Sequence, residues 1–161
     1  MAKAGAPIEV DGNMEAEAFE ANATDADELM GLMRSFYAEE RYPFDEARTE
    51  RALRAMLADP LYGAAWIFRL DGRAVGYLVI THGYSLEFGG RDAFVDEVYM
   101  IPEMRGRGLG AQALRIAEEH CSSHGIGALH LEVERENPRA RALYERSGYK
   151  AHDRHLMTRW L

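Results

Sequence analysis

A chain of 161 residues, 47% hydrophobic and 29% charged, has the length of one domain and the composition of an ordinary globular protein. No apolar run approaches the roughly 18 residues of a membrane span, and the net charge of −8 argues against a nucleic-acid surface, which needs a basic face. Cys121 is the only cysteine, which excludes an internal disulfide and a cysteine-rich metal site. Neutral or cationic partners are therefore expected. The first 25 residues hold no continuous apolar stretch of the kind a secretory signal carries, so the expected location is the cytoplasm.

Residues 1–15 mix Ala, Gly, Glu and Asp without periodicity and read as a poorly ordered tail, with a single domain over 16–161. Thr24 or Asp25 can cap a helix in which Leu29, Leu32, Met33 and Phe36 recur at helical spacing. Asp45 caps a second helix, with Leu53, Met56 and Leu57 on one face and Asp59-Pro60 as its stop. A dense apolar run over 64–70, the Asp71-Gly72 turn, a strand over 74–88, Gly89-Gly90 and a strand over 92–101 describe an antiparallel meander. Leu114, Ala117 and Cys121 continue a helical stripe from Gly110 to about Gly125. A strand over 128–134 follows, then a short helix over 137–148 with Pro138 at its first position and Gly148 past its end, and a last strand over 155–160. The fold class is α/β with a mixed sheet: a meander, one β-α-β crossover and a C-terminal strand.

Between the meander and the crossover helix stands Arg105-Gly106-Arg107-Gly108-Leu109-Gly110. A helix N-terminus presents free amide donors and the positive end of the helix dipole, and residues without Cβ atoms let a phosphate approach the backbone. Arg105 and Arg107 would add charge beside the amides. A plain flexible loop is the bland alternative. Gly106, Gly108 and Ala111 also satisfy a weak dinucleotide fingerprint, but two helices and three strands precede it and too little chain follows for a second nucleotide-binding half. A Walker A loop is excluded because no Lys-Ser or Lys-Thr follows.

The order of elements together with Arg105-x-x-Gly108-x-Gly110 resembles the Gcn5-related N-acetyltransferases, and "ENPRARALYERSGY" (136–149) resembles the second signature of that family. The resemblance runs from about Phe19 to the C-terminus. It implies that acetyl-CoA is the cosubstrate, with no metal. Backbone groups of Val98, Tyr99 and Met100 would align the pantetheine arm, and Arg105, Gly106, Arg107, Gly108, Leu109, Gly110 and Ala111 would hold the phosphates. Asn137 would hydrogen-bond the coenzyme and Tyr144 would face its sulfur. A tyrosine hydroxyl in a semi-apolar groove can protonate a departing thiolate, and a strand-edge amide near Val98 can polarise the thioester carbonyl. Tyr144 also fits a purely structural role, because Ala140, Leu143, Tyr144 and Ser147 share a helix face.

Two acids are candidates for the base. Asp96 and Glu97 are adjacent, so strand alternation would turn them to opposite faces and let only one look into a given cleft. The strand resembles that of polyamine acetyltransferases, which implies a base role at Asp96, while other relatives keep an acid at the position of Glu97. Glu87, Asp92, Asp96 and Glu97 lie on one hairpin opposed only by Arg91, which suggests a negative potential drawing in a cationic amine. His82, His124, His130, His152 and His155 show no metal spacing. The leading expectation is an N-acetyltransferase acting by direct attack of a small or peptide-borne amine, with a homodimer as its assembly. A non-catalytic acyl-CoA sensor of the same fold and a dinucleotide-binding protein are the alternatives.

Overall fold

Three long strands carry the densest apolar segments of the chain: β4 (Gly63–Leu70), β5 (Arg73–Ser85) and β6 (Gly90–Met100). In a computed structural model that describes residues 9, 10, 13, 14 and 16–161, they pair antiparallel as a meander. Of the segment expected to be a loose tail, β1 (Glu9–Val10) pairs with β2 (Asn13–Met14), and the rest lies outside the described residues. A strand that sequence periodicity did not reveal at the start of the domain, β3 (Glu17–Glu20), adds to the outer edge of β4. Glu-Ala-Phe-Glu does not alternate and is too short to stand out as a pattern; the exposed edge of β4 supplies the ladder that makes it a strand.

The five-stranded sheet runs β3-β4-β5-β6-β7, antiparallel except for the last pair, where β7 (Ala128–Leu131) lies parallel to β6. A parallel neighbour requires a crossover, and α3 (Leu109–Ser123) provides it. Its buried stripe of Leu109, Ala113, Leu114, Ala117 and Cys121 packs with Phe68, Leu78, Ile80 and Val95 on one face of the sheet. The other face is covered by α1 (Ala26–Glu40) and α2 (Glu46–Ala58), which bury Leu29, Met33 and Leu53 against Ile67, Tyr77, Val79 and Tyr99. The sheet thus has two cores.

Local chemistry sets the helix starts. Asp45 caps α2, its Oδ1 accepting from the Arg48 N–H at 3.1 Å. Asp25 stands at the N-cap of α1 without a side-chain bond to the helix, and the side-chain capping falls on the 3₁₀ turn before it: Asn22 Oδ1 accepts from Thr24 N, and Asp25 reaches back to Asn22 N at 2.9 Å in a capping box. α4 (Pro138–Arg146) starts at Asn137, whose Oδ1 accepts from Ala140 N at 3.0 Å.

Two expectations fail at the C-terminal end. β7 stops at Leu131 and not near Glu134, and residues 155–160 form no strand. A strand exists only where a neighbour completes its hydrogen bonds. The final segment instead contacts the fold through side chains, with Arg154 paired to Glu87 and Trp160 under the Arg48 guanidinium. Leu156, Met157 and Trp160 stay exposed.

Candidate active site

The register of β6 carries the first correction to the reading of the acids. Opposite β5, Glu97 pairs with Val79 and Val95 with Ile80, so Asp96 is an extra residue in the ladder, a β-bulge. Burial records the consequence. Ala93 and Val95 belong to the core under α3, as do Val98 and Met100, so the alternation skips one step between 95 and 98. Asp96 and Glu97 therefore both turn toward α1 and α2, where they line one cavity of about 510 Å³ together with Tyr37, Thr49, Tyr62 and Thr81.

The two carboxylates have different surroundings. Glu97 accepts from the Tyr37 hydroxyl through Oε1 and from the Tyr77 hydroxyl through Oε2, each at 2.7 Å. Burial pushes its carboxyl above the ordinary range, and the two phenols oppose that shift by stabilising the anion. Asp96 is solvent-accessible and has no hydrogen-bond partner among the described residues; the surrounding protein pushes its carboxyl upward by desolvation alone. Tyr37 and Tyr77 escaped sequence reasoning. Tyr37 does stand four residues after Met33 on the buried stripe of α1, where an aromatic with a polar tip is a detectable signal.

Beyond Val95, β7 leaves β6, and no other described strand pairs with that edge. Ile101 N donates to Val75 O, which by alternation turns the backbone of Tyr99 toward β5 and that of Val98 and Met100 toward the open edge. Met100 O already accepts from Arg105 Nε at 2.9 Å. The Val98 amide and carbonyl and the Met100 amide thus face a slot where an extended, amide-bearing arm can add itself as a strand. Of the three residues named for this role, Tyr99 faces the sheet.

The slot leads to the glycine loop. Gly106 and Gly108 take φ of 77° and 89°, which side chains disfavour. Gly108 caps α3 without a side chain, and the first helical bond runs from Gln112 N to Gly108 O. The N–H groups of Leu109, Gly110 and Ala111 are left outside the helical ladder, as phosphate oxygens require. The loop fits a pyrophosphate. Its charge, however, is arranged differently from the sequence reading: the Arg105 guanidinium is paired bidentately with Glu39 and lies over the Tyr99 ring. Arg107 remains exposed on the loop. Arg139 of α4 brings its Nη2 to 3.0 Å from where a Cβ on Gly106 would stand, a cation that sequence reasoning did not single out.

On the α3 side, Tyr144 is half-buried against the core, its ring 6.1 Å from that of Tyr149. Desolvation raises its hydroxyl, so it stays protonated at neutral pH. Asn137 spends its carbonyl oxygen on the α4 cap, leaving its amide donors.

The acids of the hairpin do not converge. Glu87 is paired with Arg154, Asp92 lies 3.5 Å from His130, and Arg91 donates to the His124 carbonyl, so only Asp96 and Glu97 reach the cavity. No cluster of three or more metal-binding side chains occurs among the described residues. No described helix is long and apolar enough to cross a membrane.

The family model for the acetyltransferase (GNAT) family matches residues 27–149. The chain belongs to the GNAT family. This GNAT protein is similar to the thialysine N-epsilon-acetyltransferase of Mus musculus, at 28% identity over 135 residues covering 78% of this chain and 79% of that protein. Among solved structures it resembles an integron cassette protein from the mobile metagenome of Cole Harbour Salt Marsh, at 33% identity, with a TM-score of 0.80 and coverage of 89% of this chain and 90% of that one. A predicted acetyltransferase of Clostridium acetobutylicum, solved with acetyl-CoA, shares the fold at 17% identity and a TM-score of 0.78, over 89% of this chain and 95% of that one. The GNAT fold uses acetyl-CoA, and the chain is an N-acetyltransferase.

Proposed function

We propose that this GNAT enzyme acetylates a small primary amine, cationic in solution, by direct attack of the bound amine. The observation that carries the reading is the bulge that sets Asp96 and Glu97 on one cavity wall, at the point where the edge of β6 opens. When bound, acetyl-CoA supplies the acetyl group as an activated thioester. Glu97, held by Tyr37 and Tyr77, attracts and orients the ammonium group. Asp96, unpartnered and raised toward the working range of a base, takes the proton that the ammonium must lose before its nitrogen can attack. The Val98 amide at the open edge donates to the carbonyl oxygen as charge develops there. Tyr144 returns a proton to the departing sulfur.

An acceptor of this kind agrees with the similar mouse protein, whose name gives thialysine, an amine, as its substrate. The hairpin no longer supports it as a whole, since Glu87 is neutralised; the cavity acids do. The test is thiol release from acetyl-CoA across a panel of amines. Amine-dependent release is expected, and coenzyme binding without it would make the protein a sensor.

A homodimer in the cytoplasm is the setting we infer. Exposed Leu156, Met157 and Leu161 and the outer edge of β7, unpaired among the described residues, are apolar and backbone surface that a second copy could cover. Sedimentation equilibrium is expected to give twice the chain mass of 18.2 kDa, and a monomer at high concentration would exclude the assembly.

A further inference from the structure

The cavity has a second charged group. α1 and α2 form its helical wall, and β5 and β6 form the opposing sheet wall. The acids stand on the sheet wall, and Arg48 stands on the helical wall. Acids near Arg48 along α2 are already engaged: Glu46 with Arg34, Glu50 with Arg54, and Asp45 with the backbone of Arg48 itself. Among the described residues the Arg48 guanidinium has no carboxylate partner. Its aromatic contact is Trp160, whose ring centroid lies 4.8 Å away and covers one face of the guanidinium while leaving its edge donors uncommitted. The helical wall also carries Met33, Ala52 and Met56, apolar surface suited to methylene groups.

We propose that the acceptor carries a carboxylate a few methylenes from its reacting amine, and that Arg48 binds this carboxylate. The proposal rests on the acetyltransferase reading above and names the substrate class for the same cavity: carboxylic acids that carry a primary amine at the far end of a methylene chain. The ammonium sits at Asp96 and Glu97, the methylenes run along Met33 and Met56, and the carboxylate meets the guanidinium fork, whose geometry matches it in two parallel hydrogen bonds. A plain diamine would fill the same volume but bring its second positive charge against Arg48 with no carboxylate to balance it. The cavity, at about 510 Å³, has the size of a small-molecule site. Arg48 is a specificity residue in this arrangement, since it holds the end of the substrate remote from the chemistry.

The test compares L-ornithine with putrescine and L-lysine with cadaverine, pairs that differ only by the carboxylate, using thiol release from acetyl-CoA by the full chain. Expected is a kcat/KM at least about tenfold higher for each amino acid than for its diamine, a difference of the size one charge-assisted pair gives. Arg48→Gln should bring the ratio near unity by raising KM for the amino acids and, with the opposing like charge gone, lowering KM for the diamines. Arg48→Lys should recover part of the preference, Arg48→Glu should invert it, and Arg51→Gln, on the same helix but away from the cavity, should leave it intact. Diamines used as well as the amino acids by the unsubstituted protein, or a ratio that survives Arg48→Gln, would overturn the proposal while leaving the acetyltransferase reading standing. Turnover of none of the four while another amine is acetylated would overturn this proposal alone.

Discussion

Asp96 and Tyr144 carry opposite demands for protons, and each has an environment that suits its role. A base works only when deprotonated, so kcat/KM should fall as the pH drops through the Asp96 pKa, and desolvation sets that acid limb above the ordinary aspartate value of 3.8. Asp96→Asn should remove the limb and lower kcat by about 10²-fold or more; a pH-rate profile unchanged by the substitution would exclude Asp96 as the base. The same shift has a stability consequence. A raised carboxyl holds its proton in the fold to a higher pH than in the unfolded chain, so stability declines as the pH rises from 3.8 through the folded value. Asp96→Asn is expected to raise Tm at neutral pH and to lose that gain below pH 3.8, which calorimetry at several pH values reads directly. Tyr144→Phe should cost about 10²-fold in kcat with little change in acetyl-CoA affinity, the mark of an interaction made only in the transition state. Near-normal turnover would return Tyr144 to a packing role.

At the scale of elements, the strand-to-helix junction after β6 carries the binding. The left-handed φ of 89° at Gly108 has a steric cause and a functional use: it turns the chain so that the first amides of α3 point outward together. Gly108→Val puts a β-branched side chain into that conformation and its methyls into the phosphate path. The expected outcome is loss of acetyl-CoA binding by at least about 100-fold in calorimetry, with the circular dichroism of the folded protein largely preserved; unchanged affinity in a folded variant would remove the loop from the site. Gly110 plays a different part. A Cβ there would stand 2.9 Å from Leu143 Cδ2, so this position is small to let α3 and α4 approach. Three glycines at alternate positions thus serve two purposes, and spacing alone does not separate them.

Across the whole molecule, the sheet brings together residues far apart in the chain, and its histidines show this away from the active site. His82 of β5 places Nε2 3.2 Å from His120 Nε2 on α3, and the His120 ring stacks on His124 with centroids 4.0 Å apart. Burial, then the neighbouring histidines and Arg91, lower His120 to about 4, so it stays neutral in the fold. The unfolded chain takes up the proton near pH 6.5, and between these values it binds more protons than the folded chain. Stability should therefore fall as the pH drops from 6.5 toward 4, seen as a falling Tm. His120→Gln, which cannot take a proton, should flatten that decline. An equal decline in the variant would assign it to other groups.

Much of this was readable along the chain because it depends on neighbours a few residues apart. Asp45 as a cap, Pro138 at the start of α4, the Asp71-Gly72 turn and the glycine loop before α3 all follow from local sterics and hydrogen bonding, and the two motifs at 105–110 and 137–149 pointed to the family that the chain belongs to. What sequence could not decide depends on partners distant in the chain. The bulge at Asp96 arises from register against β5, and it reverses the rule that adjacent strand residues face apart. Arg105 looked like a phosphate ligand until the fold brought Glu39 to it, and Glu97 stood beside Asp96 as a candidate base until Tyr37 and Tyr77 closed around it. The segment 155–160 has the residues of a strand but pairs with no strand among the described residues. Local propensity selected the elements and the loop; long-range register and charge pairing decided which side chains remained free to act.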